Sequence, residues 1–526
     1  LTLKSLHDVD IKKILNVGIE LSSESNHSKI LETILELAKS ITHADGGSIY
    51  TVSKEKTLQF ELMQNNYLNI KAGGTSGKEV RNQDLPLFNV DGTPVLNHVA
   101  TSSYHQNKII SNMREIGSLE KSSSDVYQSV SFLTVPMRNY DAEIIGILQL
   151  INARNPENQQ IIGFTQEHEF IVESLASQAA VAITTRSLID RLEKLFESFI
   201  TMINKAIDDK SPYTGAHCYR IPELTLMIAN EVQNVNYGPF KDFDMSEKDR
   251  YELKIASLLH DCGKITTPVH VVDKATKLET IFDRIHLIDT RFEVVKRDLE
   301  IKFLKSVITK EQYDTALFDV ENDRDFIRRI NFGTELMHEA DNAKLHKIAS
   351  KYSWVDVNNI ETNFLTPNEI YNLSIQSGTL NQEERKIINR HIEVTLDMLS
   401  SIDWPAHLKN VPEFAGGHHE KMDGTGYPKG LKKEEMSIQA RCMGIADIFE
   451  ALTAKDRPYK KGKTLSESLR ILGKFKLNNH IDPDIFNIFI WEKIYESYAK
   501  KFLDPDQIDD VDVTQIPGYE PPPSGL

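Results

Sequence analysis

From residue 165 to residue 208 the chain contains neither glycine nor proline, and this uninterrupted stretch separates two regions of different character. Glycine and proline are the residues that most readily end a helix, so their absence predicts one long helix here. Within it Leu188, Leu192, Leu195, Phe199, Met202 and Ala206 step by 4, 3, 4, 3 and 4, the apolar spacing of a two-stranded coiled coil. The stripe either packs against the chain's own domain or pairs with a second copy. The second reading is favoured, because the helix links two domains and has few obvious apolar partners. It implies a parallel homodimer and a rod able to transmit a signal.

Before this helix the hydrophobic period changes. Residues 1–45 contain two helical patterns, the second marked by Ile30, Ile34, Leu37 and Ile41. "GGSIYTV", "FLTVPMR" and "IIGILQLIN" then read as short strands bounded by Gly, Pro and Asn. Helix, sheet and closing helix make an α+β domain over 1–185. The order of "SVSFLTVPM", "EIIGILQLINARN" and "FTQEHEFIVESLASQAAVAI" resembles a GAF domain, a small-ligand sensor module. GAF domains that bind cyclic nucleotides carry Asn-Lys, then Phe, then Asp-Glu. Asn152, Phe164 and Glu169 match that pattern, but Ala153 and His168 replace the Lys and the Asp. The resemblance therefore leaves two roles open, a sensor for an unknown small ligand or a dimerisation scaffold.

Composition narrows the class. With 526 residues there is room for two or three domains, and a net charge of −16 disfavours a nucleic acid polymer as partner. A small phosphate-bearing substrate remains compatible. No apolar run approaches the roughly 20 residues that span a bilayer and no leader opens the chain, so a cytoplasmic location without membrane attachment is expected. Cys218, Cys262 and Cys442 are too few and too scattered for a disulfide framework.

The second half reads as almost wholly helical, with a tail over 510–526, ending in "PGYEPPPSGL", that is expected to be disordered. Histidines and acids recur on its helices or at their ends: His217, the run His260, Asp261 and Lys264, then His391, the pair His418 and His419, and Asp447. A lone histidine on an apolar helix is usually a core residue. Seven imidazole and carboxylate groups together suit iron, manganese, nickel or zinc, and with no thiolate-rich cluster a structural Cys-type zinc site is not indicated. His418 and His419 cannot share one regular face, and Gly424, Gly426 and Gly430 around Pro428 mark an irregular loop.

"HDCGK" resembles the HD superfamily of metal-dependent phosphohydrolases, and "HHEKMDGTGYP" matches the signature of its HD-GYP subfamily, with "ALTAKDRPYK" continuing the likeness. The resemblance implies an HD-type domain over 200–500 that hydrolyses cyclic di-GMP to the linear dinucleotide or on to GMP. It implies two divalent transition metals, iron first and manganese or nickel as alternatives. Asp261 would bridge them, with His217, His260 and Asp447 on one ion and His391, His418 and His419 on the other. Lys264 would act with Asp261 in catalysis by countering charge on phosphate or protonating the leaving oxygen. Tyr427 would meet guanine, Arg457 and Lys460 the second phosphate, and Glu420 and Asp423 would orient histidines or the loop. Some members bind a third ion through a glutamate four residues before the first histidine, where this chain has Tyr213, so two ions are expected.

The likeness is interrupted over 281–376, which reads as a helical insert. There Ile281, Ile285, Ile288, Phe292, Val295 and Leu299 repeat the coiled-coil spacing, as a second dimer contact or as one helix packed on its own domain. Two alternatives to cyclic di-GMP hydrolysis stand: another cyclic dinucleotide such as cyclic GMP-AMP, or a nucleotide-sensing or docking protein without turnover.

Overall fold

The computed structural model describes residues 26–523 apart from 77, 79–83, 112–128, 211–216, 334–335 and 456–461. Tyr213, Arg457 and Lys460, with the first of the two N-terminal helical patterns, lie outside the described residues. The chain divides into two compact units at about residue 195, and helix Gln166–Lys210 has residues in both.

The first unit is built on an antiparallel sheet in the order β3 (Ile70–Gly73), β2 (Thr57–Asn65), β1 (Ala44–Val52), β6 (Ile144–Arg154), β5 (Phe132–Arg138). The short β4 (Leu85–Pro86) pairs with β2, and β7 (Ile161–Ile162) pairs with β6. Side chains alternate between faces along each strand. Ile49 and Leu148 join Ile34, Leu35, Val172 and Leu175 under helices His27–Thr42 and Gln166–Lys210. Their neighbours Tyr50 and Ile147 pack with Ala100 of helix Val99–Gln106 on the other face. Asn152 is buried at a positive φ of 53°, and its side-chain oxygen accepts from the main-chain N–H groups of Val130 and Ser131 at 2.8 and 3.2 Å. Phe164 packs beneath the sheet, and Glu169 is half-buried near the start of the long helix.

The second unit surrounds helix His217–Asn234, which packs between helices Glu247–Leu259 and Ile438–Thr453. Phe196, Ile200, Ile203 and Ile207 of the long helix join that core. Leu188, Leu192, Leu195, Phe199 and Met202, on its other side, are exposed.

Two expectations need correction. The tail is packed over its described part: Ile516 is buried in the core, Lys476 Nζ donates to the Gly518 carbonyl at 2.6 Å, and Trp491 Nε1 donates to that of Glu520 at 2.7 Å. The chain can lie this close because Gly473 has no side chain. A Cβ there would come within 2.2 Å of the Pro517 carbonyl. The insert, in turn, is not purely helical. Helices Ile285–Leu304, Lys310–Asn331, Glu339–Lys351 and Pro367–Leu373 carry a two-stranded hairpin of β8 (Ser353–Val355) and β9 (Glu361–Asn363). Ile285, Ile288, Phe292 and Val295 are buried in the insert's own core with Val320, Ile327, Leu345 and Phe364. That spacing therefore reports local packing, and those four side chains are not available to a second copy.

Candidate metal centre

Six of the seven ligand candidates sit where a helix begins, ends or is interrupted, so that a side chain can leave the regular surface, while Asp447 projects from within the helix Ile438–Thr453. His217 opens its helix, His260 caps the helix Glu247–Leu259, and Asp261 begins the 3-10 turn Cys262–Thr266. His391 opens the helix His391–Ser400, and His418 and His419 follow the short helix Val411–Gly416. Gly263 lets that His391 helix press directly on the turn. A Cβ at Gly263 would meet the His391 carbonyl at 2.0 Å, and its N–H donates to Thr395 Oγ1 at 2.9 Å.

The seven residues converge. Asp261 Oδ2 lies 3.4 Å from His217 Nε2 and 3.2 Å from His260 Nε2, while its other oxygen, Oδ1, lies 3.1 Å from His391 Nε2. Asp447 Oδ1 is 3.3 Å from His217 Nε2. Beyond Asp261, the His418 and His419 rings are 4.2 Å apart, and His419 is 5.3 Å from His391. The nitrogens of His391, His418 and His419 form one group whose ligating atoms lie within 4.8 Å of one another, and atoms of His217, His260 and Asp261 form another.

Hydrogen bonds behind the rings decide which nitrogen faces inward. The Nδ1–H groups of His260 and His418 donate to the carbonyls of Ser257 and Ala415 at 2.8 and 2.6 Å, and that of His391 donates to Ile388. Each Nε2 is thereby turned toward the centre.

The two sides differ in charge. Burial pushes His419 down to about 4 and His418 well below its usual range, so both stay neutral. Burial alone would lower His260 too, but Asp261 beside it carries it up to about 9, and Glu450, Asp261 and Asp447 hold His217 well above its ordinary value. In this arrangement protons stand on that side where a cation would. Lys264 Nζ contacts Asp261 Oδ2 at 2.5 Å. Its burial is outweighed by Asp261 and Asp447, which hold it as an ammonium.

These residues fit a pair of transition-metal ions. Asp261 Oδ1, His391 Nε2 and His418 Nε2 are buried and make no hydrogen bond, an arrangement that is costly unless something else satisfies them. Donor atoms bound at about 2.1 Å and at right angles on one ion sit about 3 Å apart, the scale of the spacings here.

The glycine-rich loop frames one side. Glu420, buried, accepts from the N–H groups of Lys429 and Leu431 at 2.7 and 2.9 Å. Gly426 is required by crowding, since a Cβ would come within 2.4 Å of the Lys421 nitrogen. The Tyr427 ring stacks on His419 with centroids 4.9 Å apart. Asp423 is exposed and accepts from the N–H and hydroxyl of Thr425 at 2.9 and 2.7 Å, so it holds the loop and does not touch the histidines. One group at the centre escaped the sequence reading. Glu450 accepts from His217 Nδ1 and from Arg220 Nε, each at 2.5 Å. Its signal was its place three residues after Asp447 on one helix.

Family models match at three places: a GAF domain over residues 26–183, and two HD domain models over 214–341 and 363–485. The chain therefore carries a GAF domain followed by an HD-domain region. Among relatives, 3'3'-cGAMP-specific phosphodiesterase 3 of Vibrio cholerae is 37% identical over 290 residues, which is 55% of this chain and 37% of that protein. A cyclic di-GMP phosphodiesterase of Pseudomonas aeruginosa is 37% identical over 113 residues, 22% of this chain and 26% of that one. Another, from Thermotoga maritima, is 38% identical over 96 residues, 18% of this chain and 26% of its own. The matched regions span well under half the length of these curated relatives. Among the described residues no helix is long and apolar enough to cross a membrane.

Proposed function

We propose that this chain is a metal-dependent phosphodiesterase of the HD-GYP type that hydrolyses a cyclic dinucleotide, cyclic di-GMP first, with the GAF domain as its regulator. The observation that carries the reading is Asp261, whose two oxygens face opposite ligand groups at 3.1–3.4 Å. A carboxylate so placed suits bridging. His217, His260 and Asp447 would hold one divalent ion and His391, His418 and His419 the other, iron first and manganese or nickel as alternatives. Bound, such a pair supplies Lewis acidity and a water acidic enough to ionise near neutral pH.

The chain's own groups do the rest. Lys264, an ammonium beside Asp261, neutralises charge gathering on a phosphate oxygen or delivers a proton to the leaving 3′-oxygen. Tyr427 presents an aromatic edge beside His419 for a base, with Glu420 fixing the loop that carries it. Arg457 and Lys460 are assigned to the second phosphate. The reach of the Vibrio cholerae match, over 290 residues, favours the second reading, 3'3'-cGAMP as substrate.

Protein loaded with iron or manganese under anaerobic conditions, incubated with each cyclic dinucleotide and resolved by chromatography, tests the proposal. A linear dinucleotide is the expected product. Intact substrates in the presence of two bound ions would leave a sensing or docking role instead.

The homodimer belongs to the same reading. Leu192 and Leu195 are 66% and 52% exposed, whereas Ile200 and Ile207 of the same helix are buried, so one stripe serves the domain and the other is open to a second copy. Leu192→Glu combined with Leu195→Glu is expected to give a monomer by light scattering, since charge is not tolerated in an apolar seam. A persistent dimer would move the interface elsewhere.

A further inference from the structure

Three of the buried histidines at the centre donate Nδ1–H to the main-chain carbonyl three residues earlier, a neutral acceptor. His217 does not. Its Nδ1–H meets the carboxylate of Glu450, which is 1% exposed, and the other oxygen of that carboxylate takes Arg220 Nε. One helix, Ile438–Thr453, thus supplies Asp447 in front of the His217 ring and Glu450 behind it. Glu450 touches His217 and Arg220, while the histidines at positions 260, 391 and 418 have their own backbone acceptors.

We propose that Glu450 is a positioning residue that makes the two halves of the centre unequal: it orients His217 and strengthens its bond to the cation on the His217 side, leaving the His391 side untouched. The inference rests on the two-ion reading above. Its physical basis is that a carboxylate accepting from the far nitrogen of a metal-ligating imidazole fixes the tautomer and raises the basicity of the near one. Arg220 aims Glu450 from behind, donating Nε to the carboxylate oxygen that His217 does not use.

The test is a titration of metal-free full-length protein with Mn2+, followed by elemental analysis after equilibrium dialysis and by the loss of free-ion paramagnetic resonance signal. Wild type should fill two sites of different affinity. Glu450→Gln preserves size but replaces an anionic acceptor by a neutral amide. It should weaken one site by about 10- to 100-fold, the usual effect of losing such a partner, with the other unchanged. Glu450→Asp, which keeps the charge on a shorter stem, should fall between the two. Equal weakening of both sites in Glu450→Gln, unchanged binding at both, or failure of that variant to fold would overturn the proposal in favour of a purely structural carboxylate. No Mn2+ bound by wild type would instead overturn the two-ion reading itself, and this inference with it.

Discussion

Two of the buried clusters of charge in the second unit are satisfied in opposite ways. In the insert, Arg291 grips Glu369 with two parallel hydrogen bonds of 2.7 and 2.8 Å and also donates to the Phe364 carbonyl at 2.6 Å. Glu369 further accepts the Thr366 N–H at 2.8 Å, so both its oxygens are used. At the HD centre, by contrast, Asp261 Oδ1, His391 Nε2 and His418 Nε2 point into the interior without a hydrogen bond. The first cluster uses its hydrogen-bonding capacity within the protein; the second leaves several imidazole and carboxylate atoms without a hydrogen bond at one point. Burial of charge alone therefore does not mark a functional site. Unmet bonding capacity at the meeting point of several helices does.

The comparison can be broken from either end. The largest effect is expected at Asp261. Asp261→Ala should abolish hydrolysis and sharply reduce bound metal, because on the proposed reading that carboxylate would serve both halves; retained activity measured alongside metal content would remove the bridging role. In the insert, Glu369→Ala should lower unfolding free energy by about 3–5 kcal/mol, the cost of stranding a buried partner, without changing metal stoichiometry. A urea titration reads the first and elemental analysis the second. If metal is lost instead, the two clusters are coupled and the contrast fails.

Lys264→Ala should keep both ions and lose about 10²–10³ in turnover, the scale for one transition-state donor, in steady-state assays. Lost metal there would make Lys264 a support for Asp261 and not a partner of the substrate. The smallest effect concerns acid. Burial works against the ionised form of Glu369, but Arg291 and the Thr366 N–H hold its carboxyl below the ordinary value of 4.5. With the folded value depressed, the pair's contribution is fully present above about 4.5 and is lost as pH falls through the folded value. The urea midpoint of wild type should thus fall more steeply below pH 4.5 than that of Glu369→Gln. Parallel curves would mean that the pair carries no pH-linked stability.

Local patterns were legible where a short-range rule governs them. Freedom from glycine and proline marked the long helix, and β-branched runs marked β1, β5 and β6, whereas β2, with Gln59, Glu61 and Gln64 along it, has too polar a pattern to be picked out. The coiled-coil spacing shows how far such a rule reaches. At Leu188 to Met202 it describes an exposed stripe, while at Ile285 to Val295 the same spacing is filled by the insert's own core. Period tells which residues share a face and says nothing of what covers it. The tail was misjudged for a related reason: its proline-rich composition hides a buried anchor, Ile516, whose partner surface lies elsewhere in the chain.

By itself the sequence determined the chemical kinds present, histidine and carboxylate in a particular order, with glycines where the backbone must bend or crowd. Tertiary structure alone decided that Asp261 turns one oxygen to each side, that Asp423 faces its own loop, and that Glu450 stands behind His217 across a separation of 233 residues. Helix ends and turns are set by neighbours within a few positions, so they can be read along the chain. Which side chains meet at a distance depends on how whole helices pack, and contacts such as Gly263 against the His391 helix exist only once that packing is complete.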